Sequence, residues 1–359
     1  MRVAVLGVGL IGGSVGLGAR ARLSGAEIRG YDPDPGVLEK ARALEAIDRA
    51  AASIAEAVEG AELVFCAAPV SALPELARDA LAAAGEETAV TDVGSIKAEL
   101  VEALGDDPRF IGGHPVAGAE TAGVEHARPD LFDGARWYLT PSSRTGGMLY
   151  DRLQRALAEL GARPQAIDAS EHDRLMALVS HLPHVLADLL VAQATQGLGD
   201  GERLPEVGPS FRDATRVAGA NPAIWGDIFA ANADALAEQV EAAADRLHDV
   251  AGLLRSGDRD AMGEWHRRAS EQRRSLLEAG LAGGPLRELR VVVPNRPGIL
   301  AEIALELGRA GVNIEDMGLY PAADMRSGAV SLYVAGDAEA ERAAKLGREL
   351  GHDVSMVER

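Results

Sequence analysis

The chain lacks paired cysteines and is short of positive charge. Its single cysteine, Cys66, excludes an intramolecular disulfide, and its apolar neighbours predict a buried structural thiol in a reducing compartment. Lys and Arg together number 36 against 55 Asp and Glu, so the net charge is −19. Because so acidic a chain repels phosphate backbones, we expect no nucleic-acid partner.

No apolar run stands out as long enough to cross a bilayer, so we expect no membrane partner. The first predicted strand begins within three residues of Met1, which leaves no room for a signal peptide. We therefore expect a cytoplasmic protein. The length of 359 residues predicts two or three domains.

What the chain does have is a glycine motif directly after an apolar run that begins at Val3. The motif is Gly7-x-Gly9-x-x-Gly12, and it continues into a segment with helical spacing. This pattern is typical of a dinucleotide-binding unit, in which the glycines allow a tight turn, close approach of a pyrophosphate, and close helix packing. The predicted cofactor-binding residues are Gly7, Gly9, Leu10, Ile11, Gly12 and Asp32.

Asp32 ends the second predicted strand, about twenty residues after the glycine motif, where a carboxylate is expected to bind the ribose hydroxyls. The same carboxylate would repel a 2′-phosphate, so the predicted cofactor is NAD rather than NADP. The competing interpretation is an ordinary turn residue before Pro33.

The predicted fold class is α/β, with three domains. Residues 1–168 alternate strands and helices, which predicts a Rossmann-type, doubly wound parallel sheet that binds ligands at the carboxyl ends of its strands. Residues 169–282 are predicted to form an all-helical substrate and dimerisation domain, kinked at Pro183. After a Gly283-Gly284-Pro285 linker, residues 286–359 read as βαββαβ, a ferredoxin-like module.

Three polar residues, Ser95, His114 and Glu120, follow the ends of predicted strands. His114 is a candidate general base because imidazole titrates near neutral pH, although a hydrogen-bonded loop histidine is the alternative. His181 and His184 lie near one face of a helix. A metal is a poor explanation for this pair because no cysteine or carboxylate pair completes a ligand set, so we expect none.

A further candidate group lies at Phe211-Arg212-Asp213-Ala214-Thr215-Arg216. If this segment is helical, Arg212 and Arg216 share a face beside Asp213, and a guanidinium there could bind a carboxylate bidentately. Ordinary surface arginines are the alternative. Trp225 is by default a core or interface residue.

Five motifs in this order resemble the prephenate dehydrogenase family over residues 1 to about 281. They are the glycine motif, Asp92-Val93-Gly94-Ser95-Ile96-Lys97, Gly113-His114-Pro115-Val116-Ala117-Gly118-Ala119-Glu120, Ser180-His181-Leu182-Pro183-His184, and the segment 211–216. The resemblance implies NAD-dependent oxidative decarboxylation of prephenate to 4-hydroxyphenylpyruvate in tyrosine biosynthesis, by a homodimer.

The resemblance also implies roles for individual residues. His114 would accept a hydrogen bond from the C4 hydroxyl of prephenate, Ser95 would assist there, and Arg216 would hold the ring carboxylate. Trp225 would reach into the neighbouring subunit's site. The residues implied to line or order the substrate pocket are His184, Asp173, Glu120 and Asp213, and His181 is a further candidate.

The tail resembles an ACT domain, an amino-acid-sensing module, which implies L-tyrosine as the effector at Asn295, Pro297 and Gly298. The family's usual Asp-x-Pro-Gly turn reads Asn295-Arg296-Pro297-Gly298 here. Two alternatives remain open: an arogenate dehydrogenase, and a non-catalytic sensor of NAD and an amino acid. A β-hydroxyacid dehydrogenase is disfavoured because residues 170–199 contain no lysine.

Overall fold

The computed structural model describes residues 1–118, 121–197, 207–278, 284–322 and 326–357. Three residues quoted in the sequence predictions lie outside these ranges: Ala119, Glu120 and Gly283. The chain forms two compact units, residues 1–245 and residues 246–359, and the division falls within one long helix.

The first unit is built on an eight-stranded sheet with the strand order β3-β2-β1-β4-β5-β6-β7-β8. The strands are β1 Arg2–Leu6, β2 Glu27–Tyr31, β3 Arg49–Ala50, β4 Leu63–Cys66, β5 Ala89–Asp92, β6 Phe110–Pro115, β7 Arg136–Thr140 and β8 Arg163–Ala166. The predicted Rossmann-type sheet is confirmed, with one difference: β7 runs antiparallel to β6. The central strands are apolar because helices cover both faces.

Six helices accompany this sheet: α1 Leu10–Arg22, α2 Pro35–Ala43, α3 Ile54–Val58, α4 Leu73–Ala83, α5 Ala98–Leu104 and α6 Gly147–Glu159. The sheet divides the buried side chains into two clusters, one on the face covered by α1 and α6 and one on the face covered by α4. Cys66 is fully buried at the end of β4, and burial raises the pKa of its thiol. This thiol is therefore inert and structural.

The rest of the first unit is helical, as predicted, but its helices are interrupted more often. They are α7 Ala169–Met176, α8 Leu182–Thr195, α9 Pro209–Thr215, α10 Pro222–Ala231 and α11 Ala233–Ser256. A π-helical turn, Ala177–His181, joins α7 to α8 and is followed by Pro183 in the first turn of α8. Proline has no N–H to donate to the preceding turn, which accounts for the interruption there.

The expectation that no apolar run is long enough to cross a bilayer is wrong for one helical segment. The continuous helical segment Ala169–Thr195 contains an 18-residue window with a mean hydropathy of 1.7, so by length and composition it could cross a membrane. Of that window, 28% is buried inside the protein. Apolar helices of globular proteins pass the same test, and this one carries polar site residues described below.

The second unit contains α12 Arg259–Glu278 and a βαββαβ module. The module comprises β9 Leu286–Pro294, α13 Ile299–Arg309, β10 Asp316–Pro321, β11 Ser327–Ala335, α14 Asp337–Glu349 and β12 Asp353–Met356. Its antiparallel sheet has the order β10-β11-β9-β12. Alternate residues of β9, Leu289, Val291 and Val293, face a core shared with α13 and α14. The predicted ferredoxin-like arrangement is confirmed.

Candidate active site

The glycine motif forms the turn between β1 and α1, and each glycine is needed for a different reason. Gly7 has φ +92°, and a Cβ there would lie 2.3 Å from the Ala67 carbonyl oxygen. A Cβ on Gly12 would lie 2.0 Å from the Gly7 oxygen. A Cβ on Gly9 would meet nothing within 4 Å, so this position faces open space. Gly9 precedes Leu10 and Ile11 at the N-terminus of α1, where a pyrophosphate would bind.

Asp32 lies beside this turn at the end of β2. Its carboxylate accepts hydrogen bonds from the Val8 N–H at 2.9 Å and the Asp34 N–H at 3.0 Å. Asp32 also lines a cleft of about 540 Å³ together with Gly9, Glu75 and Asp79. Three carboxylates around one cleft disfavour an additional phosphate there, so the residues present fit NAD.

A buried ion pair between Asp92 and Lys97 lies under the loops that carry Ser95 and His114. The Asp92 carboxylate accepts the Gly94 N–H at 2.8 Å and the Gly113 N–H at 2.9 Å. Each of these donors is next in sequence to a predicted catalytic residue. Asp92 therefore brings the Ser95 and His114 backbones to one place at the carboxyl edge of the sheet.

His114 is the first member of a hydrogen-bonded chain of three side chains. Its Nδ1 lies 2.9 Å from Nε2 of His172, and Nδ1 of His172 lies 2.7 Å from Oδ1 of Asp173. His172 is fully buried and its ring meets that of Tyr138 edge-on. His114 is half-buried and is the exposed end of the chain.

The side chain of Asp173 is only 6% exposed, so it does not line the site. It holds neighbouring backbone in place instead. Its two carboxylate oxygens accept the backbone N–H groups of Lys97 at 2.8 Å and Ala98 at 2.7 Å, at the start of α5. Asn232 donates its side-chain N–H to the Asp173 carbonyl at 2.8 Å and to Nδ1 of His181 at 3.2 Å. Nδ1 of His181 is therefore an acceptor, and its proton is on Nε2.

His184 and Trp225 form the other side of the site. Their rings stack with centroids 3.3 Å apart, and His181 meets Trp225 edge-on. The positive charge of Arg216, in the 3₁₀ turn after α9, lowers the pKa of His184 in addition to burial. Arg216 is therefore close to His184.

Arg212, the other arginine of this segment, makes a local contact. Its guanidinium donates to the Val207 carbonyl oxygen at 3.0 Å, within its own segment. The neighbouring Asp213 is exposed. Helix α9 ends at Thr215, and Arg216 begins the 3₁₀ turn that follows it.

Two histidines of the site are held neutral. Burial, followed by the charges of His172, Lys97 and His181, lowers the pKa of His114 well below its usual value. Burial likewise lowers the pKa of His181 to about 4. A neutral imidazole is what a general base at neutral pH requires.

Sequence reasoning missed three residues of this site: His172, Lys97 as an ion-pair partner, and Asn232. The signal for His172 was present, since it precedes Asp173 on a helix that carries two further site histidines. Among the residues that the structure describes, no group of three or more histidine, cysteine or acidic side chains could hold a metal ion.

Two family models match most of the chain. Residues 15–165 match the prephenate dehydrogenase nucleotide-binding domain, and residues 168–268 match the prephenate dehydrogenase dimerization domain. The boundary between the two matches falls at the end of the sheet, before α7.

Named relatives agree with these matches. Prephenate dehydrogenase of Bacillus subtilis is 29% identical over 352 residues, which is 95% of this chain and 94% of the relative. The solved structure of prephenate dehydrogenase from A. aeolicus, in complex with hydroxyphenyl propionate and NAD⁺, is 30% identical with a TM-score of 0.73. It covers 77% of this chain and 98% of its own.

Synechocystis arogenate dehydrogenase is similar to a comparable extent. Its structure is 26% identical with a TM-score of 0.67, and it covers 76% of this chain and 99% of its own. From the family matches and these relatives together, we conclude that the chain belongs to the prephenate dehydrogenase family.

Proposed function

We propose that the protein catalyses NAD-dependent oxidative decarboxylation of prephenate to 4-hydroxyphenylpyruvate. The observation that carries this proposal is His114, a neutral imidazole at the carboxyl edge of a nucleotide-binding sheet. Its Nδ1 is engaged by His172, so Nε2 is the nitrogen left to face a substrate hydroxyl. Support for NAD comes from the cleft at Asp32 and from the NAD⁺ complex of the A. aeolicus relative.

Each site residue has a different role in this proposed reaction. A bound nicotinamide would supply the hydride acceptor. His114 accepts the proton of the C4 hydroxyl with help from Ser95, which promotes loss of hydride from C4. Departure of the ring carboxylate as CO₂ then makes the ring aromatic. Arg216 binds that carboxylate, and His184 and Trp225 hold the ring so that C4 faces the nicotinamide.

Arogenate is the second candidate substrate, because an arogenate dehydrogenase is among the similar structures. Arogenate has an ammonium group where prephenate has a keto group, and both carry the C4 hydroxyl and ring carboxylate that the proposed residues bind. Purified protein should be assayed with each substrate and with NAD⁺ or NADP⁺, following the absorbance of the reduced cofactor. Turnover of neither substrate would favour the non-catalytic sensor.

Asp32→Ala should narrow the preference for NAD⁺ over NADP⁺. Removing this carboxylate reduces repulsion of the 2′-phosphate, while Glu75 and Asp79 remain in the cleft. We expect the ratio of kcat/KM values for the two cofactors to fall by about tenfold, which corresponds to ~1.4 kcal/mol. Asp34→Ala is the matched control because Asp34 caps α2 instead. Equal efficiency of the wild type with both cofactors would refute the role of Asp32.

A homodimer is the proposed assembly. Residues 168–268 match a dimerization domain, and helices of this part expose apolar side chains. Leu178 and Val179 on the π turn, and Leu189 and Leu190 on α8, are each at least 44% exposed. Burial of such a face by a second copy would offset its exposure to water.

We expect sedimentation to show a dimer at assay concentrations and Leu189→Glu to weaken it, because the variant places a charge in the apolar face. Glu241→Gln, on α11, is a control that changes charge at an exposed position. An active monomer in the wild type would overturn the proposal, including the proposed contribution of Trp225 to the neighbouring subunit's site.

The βαββαβ module is proposed to be an ACT domain that binds L-tyrosine. A cavity of about 510 Å³ is lined by Asn295, Gly298, Ile299 and Leu319. Gly298 has φ +85° and immediately precedes α13, so the helix N-terminus is open to a carboxylate. The apolar lining suits an aromatic side chain.

Gly298→Asp should weaken inhibition by tyrosine, because it adds a negative charge and a side chain at the proposed carboxylate site. We expect the inhibitory concentration to rise at least tenfold, within the usual range of 1–3 kcal/mol for coupling between sites. Gly311→Asp is a matched control, since Gly311 also has positive φ and open surroundings but lies at the other end of α13. Inhibition that survives Gly298→Asp and remains competitive with prephenate would place tyrosine at the active site instead.

A further inference from the structure

In the hydrogen-bonded chain Asp173–His172–His114, the donor and acceptor of each hydrogen bond can be assigned from the atoms that are able to donate. Oδ1 of Asp173 accepts the Lys97 N–H at 2.8 Å, and Oδ2 accepts the Ala98 N–H at 2.7 Å. Backbone N–H groups can only donate, so both oxygens act as acceptors. The contact at 2.7 Å between Oδ1 and His172 therefore places a proton on Nδ1 of His172.

The proton positions on the two imidazoles follow in turn. With the proton of the His172 ring on Nδ1, its Nε2 has the lone pair that accepts from Nδ1 of His114 at 2.9 Å. A neutral His114 that donates from Nδ1 has its lone pair on Nε2. The opposite tautomer would present an N–H to the substrate hydroxyl and could not accept its proton.

We propose that His172 is a positioning residue that fixes His114 as the tautomer with an acceptor at Nε2, and that it steadies the charge formed when His114 takes a proton. His172 is fully buried and touches no substrate, so it acts only through His114. The Tyr138 ring packs edge-on against it and limits its rotation. This inference rests on the proposed role of His114 as the base.

The charged and titratable groups around this chain favour the same state. Lys97, whose backbone binds Asp173, and His181 on the π turn both disfavour a positive charge on His114 in the resting enzyme. Asp173 lies at the far end, two hydrogen bonds away. Its negative charge stabilises an imidazolium at His114 only through His172.

The experiment uses the full-length protein with ¹⁵N-labelled histidine. Couplings between ring protons and ring nitrogens report the tautomer, and His114→Asn identifies the His114 signals. In the wild type we expect His114 to carry its proton on Nδ1. In His172→Leu, which removes the acceptor, we expect a mixture of tautomers. This measurement needs no turnover, so it tests the tautomer independently of the proposed function.

Kinetics test whether the tautomer matters. We expect His172→Leu to lower kcat by about 10- to 100-fold with less than a threefold change in the KM for prephenate. His172→Gln keeps an acceptor for His114 and should recover most of the loss. His266→Leu, at an exposed position of α12, should change neither.

Three outcomes decide the matter. A His114 signal with its proton on Nε2 in the wild type overturns the inference, and so does a His172→Leu variant with kcat within threefold of the wild type. If His172→Leu does not fold, His172→Phe, which also lacks an acceptor, takes its place: reduced kcat with a mixture of tautomers supports the inference, and a variant with neither change overturns it. Wild-type activity in His114→Asn would instead sink the proposed function, whatever the tautomer.

Discussion

Replacing His114 with asparagine is expected to lower kcat by about 10²- to 10⁴-fold, the range associated with loss of a general base. Asparagine can still donate a hydrogen bond toward His172, so the loop should keep its conformation while the basic nitrogen is lost. The affinity for NAD⁺ should change little, because the cofactor cleft is lined by residues around the glycine turn and Asp32. Steady-state kinetics with saturating NAD⁺ provide the measurement.

The pH dependence of the wild type supplies a second readout. Because burial and nearby positive charge hold the pKa of His114 well below 6.5, the imidazole is neutral at pH 7. Protonation then removes the base only as the pH falls through the lowered pKa of the folded enzyme. We therefore expect kcat/KM to be independent of pH around pH 7 and to decrease only at pH values well below 6.5. His266→Asn is the control for loss of an imidazole, and near wild-type kcat in His114→Asn would exclude His114 from the mechanism.

Arg216→Ala should act mainly on the KM for prephenate. The ring carboxylate is bound before the reaction and is still present as hydride leaves, so the contact stabilises ground and transition states alike. Loss of a charge-assisted, bidentate contact costs on the order of 2–4 kcal/mol, which corresponds to about 30- to 1000-fold in kcat/KM. Initial rates across a wide range of prephenate concentrations would separate KM from kcat.

Arg212→Ala is a closely matched control for this experiment. Arg212 lies four residues earlier, is exposed, and donates to the Val207 carbonyl within its own segment. Its loss should change the KM by less than about threefold, as is usual for an exposed side chain with a local contact. Arg216→Lys should recover only part of the loss, because an ammonium cannot bind a carboxylate bidentately. A normal KM in Arg216→Ala would reject the assignment.

The cofactor site could be predicted from the sequence because its determinants are local. Gly7, Gly9 and Gly12 lie within one turn, and Asp32 is one strand away. The close contact at Gly12 is with the Gly7 oxygen in the same turn, and Gly7 has a positive φ, although a Cβ on Gly7 would also meet Ala67 after β4. The motif therefore carries most of the information needed. The same holds for the βαββαβ module, in which buried and exposed residues alternate along β9.

The rest of the active site could not be predicted in this way. His114 and His172 are 58 residues apart in sequence and meet only because the end of β6 lies against α7 in the folded chain. The break at Asn232 was also missed, since residues on both sides favour helix. Its cause is tertiary: the Asn232 side chain is drawn into hydrogen bonds with Asp173 and His181. The two-residue strand β3 is too short to leave a periodic signal.

The π-helical turn between α7 and α8 determines which residues can act together. In an uninterrupted α-helix the nine steps from His172 to His181 rotate the chain by about 900°, which would set the two side chains on opposite faces. The wider turn at Ala177–His181 adds one residue to a single turn, and so moves later residues back by about 100°. One residue of local insertion thus turns His181 toward the side of the helix that carries His172. We therefore expect a one-residue deletion in this turn to move His181 and His184 away from His172 and the proposed base His114, without altering any of these residues.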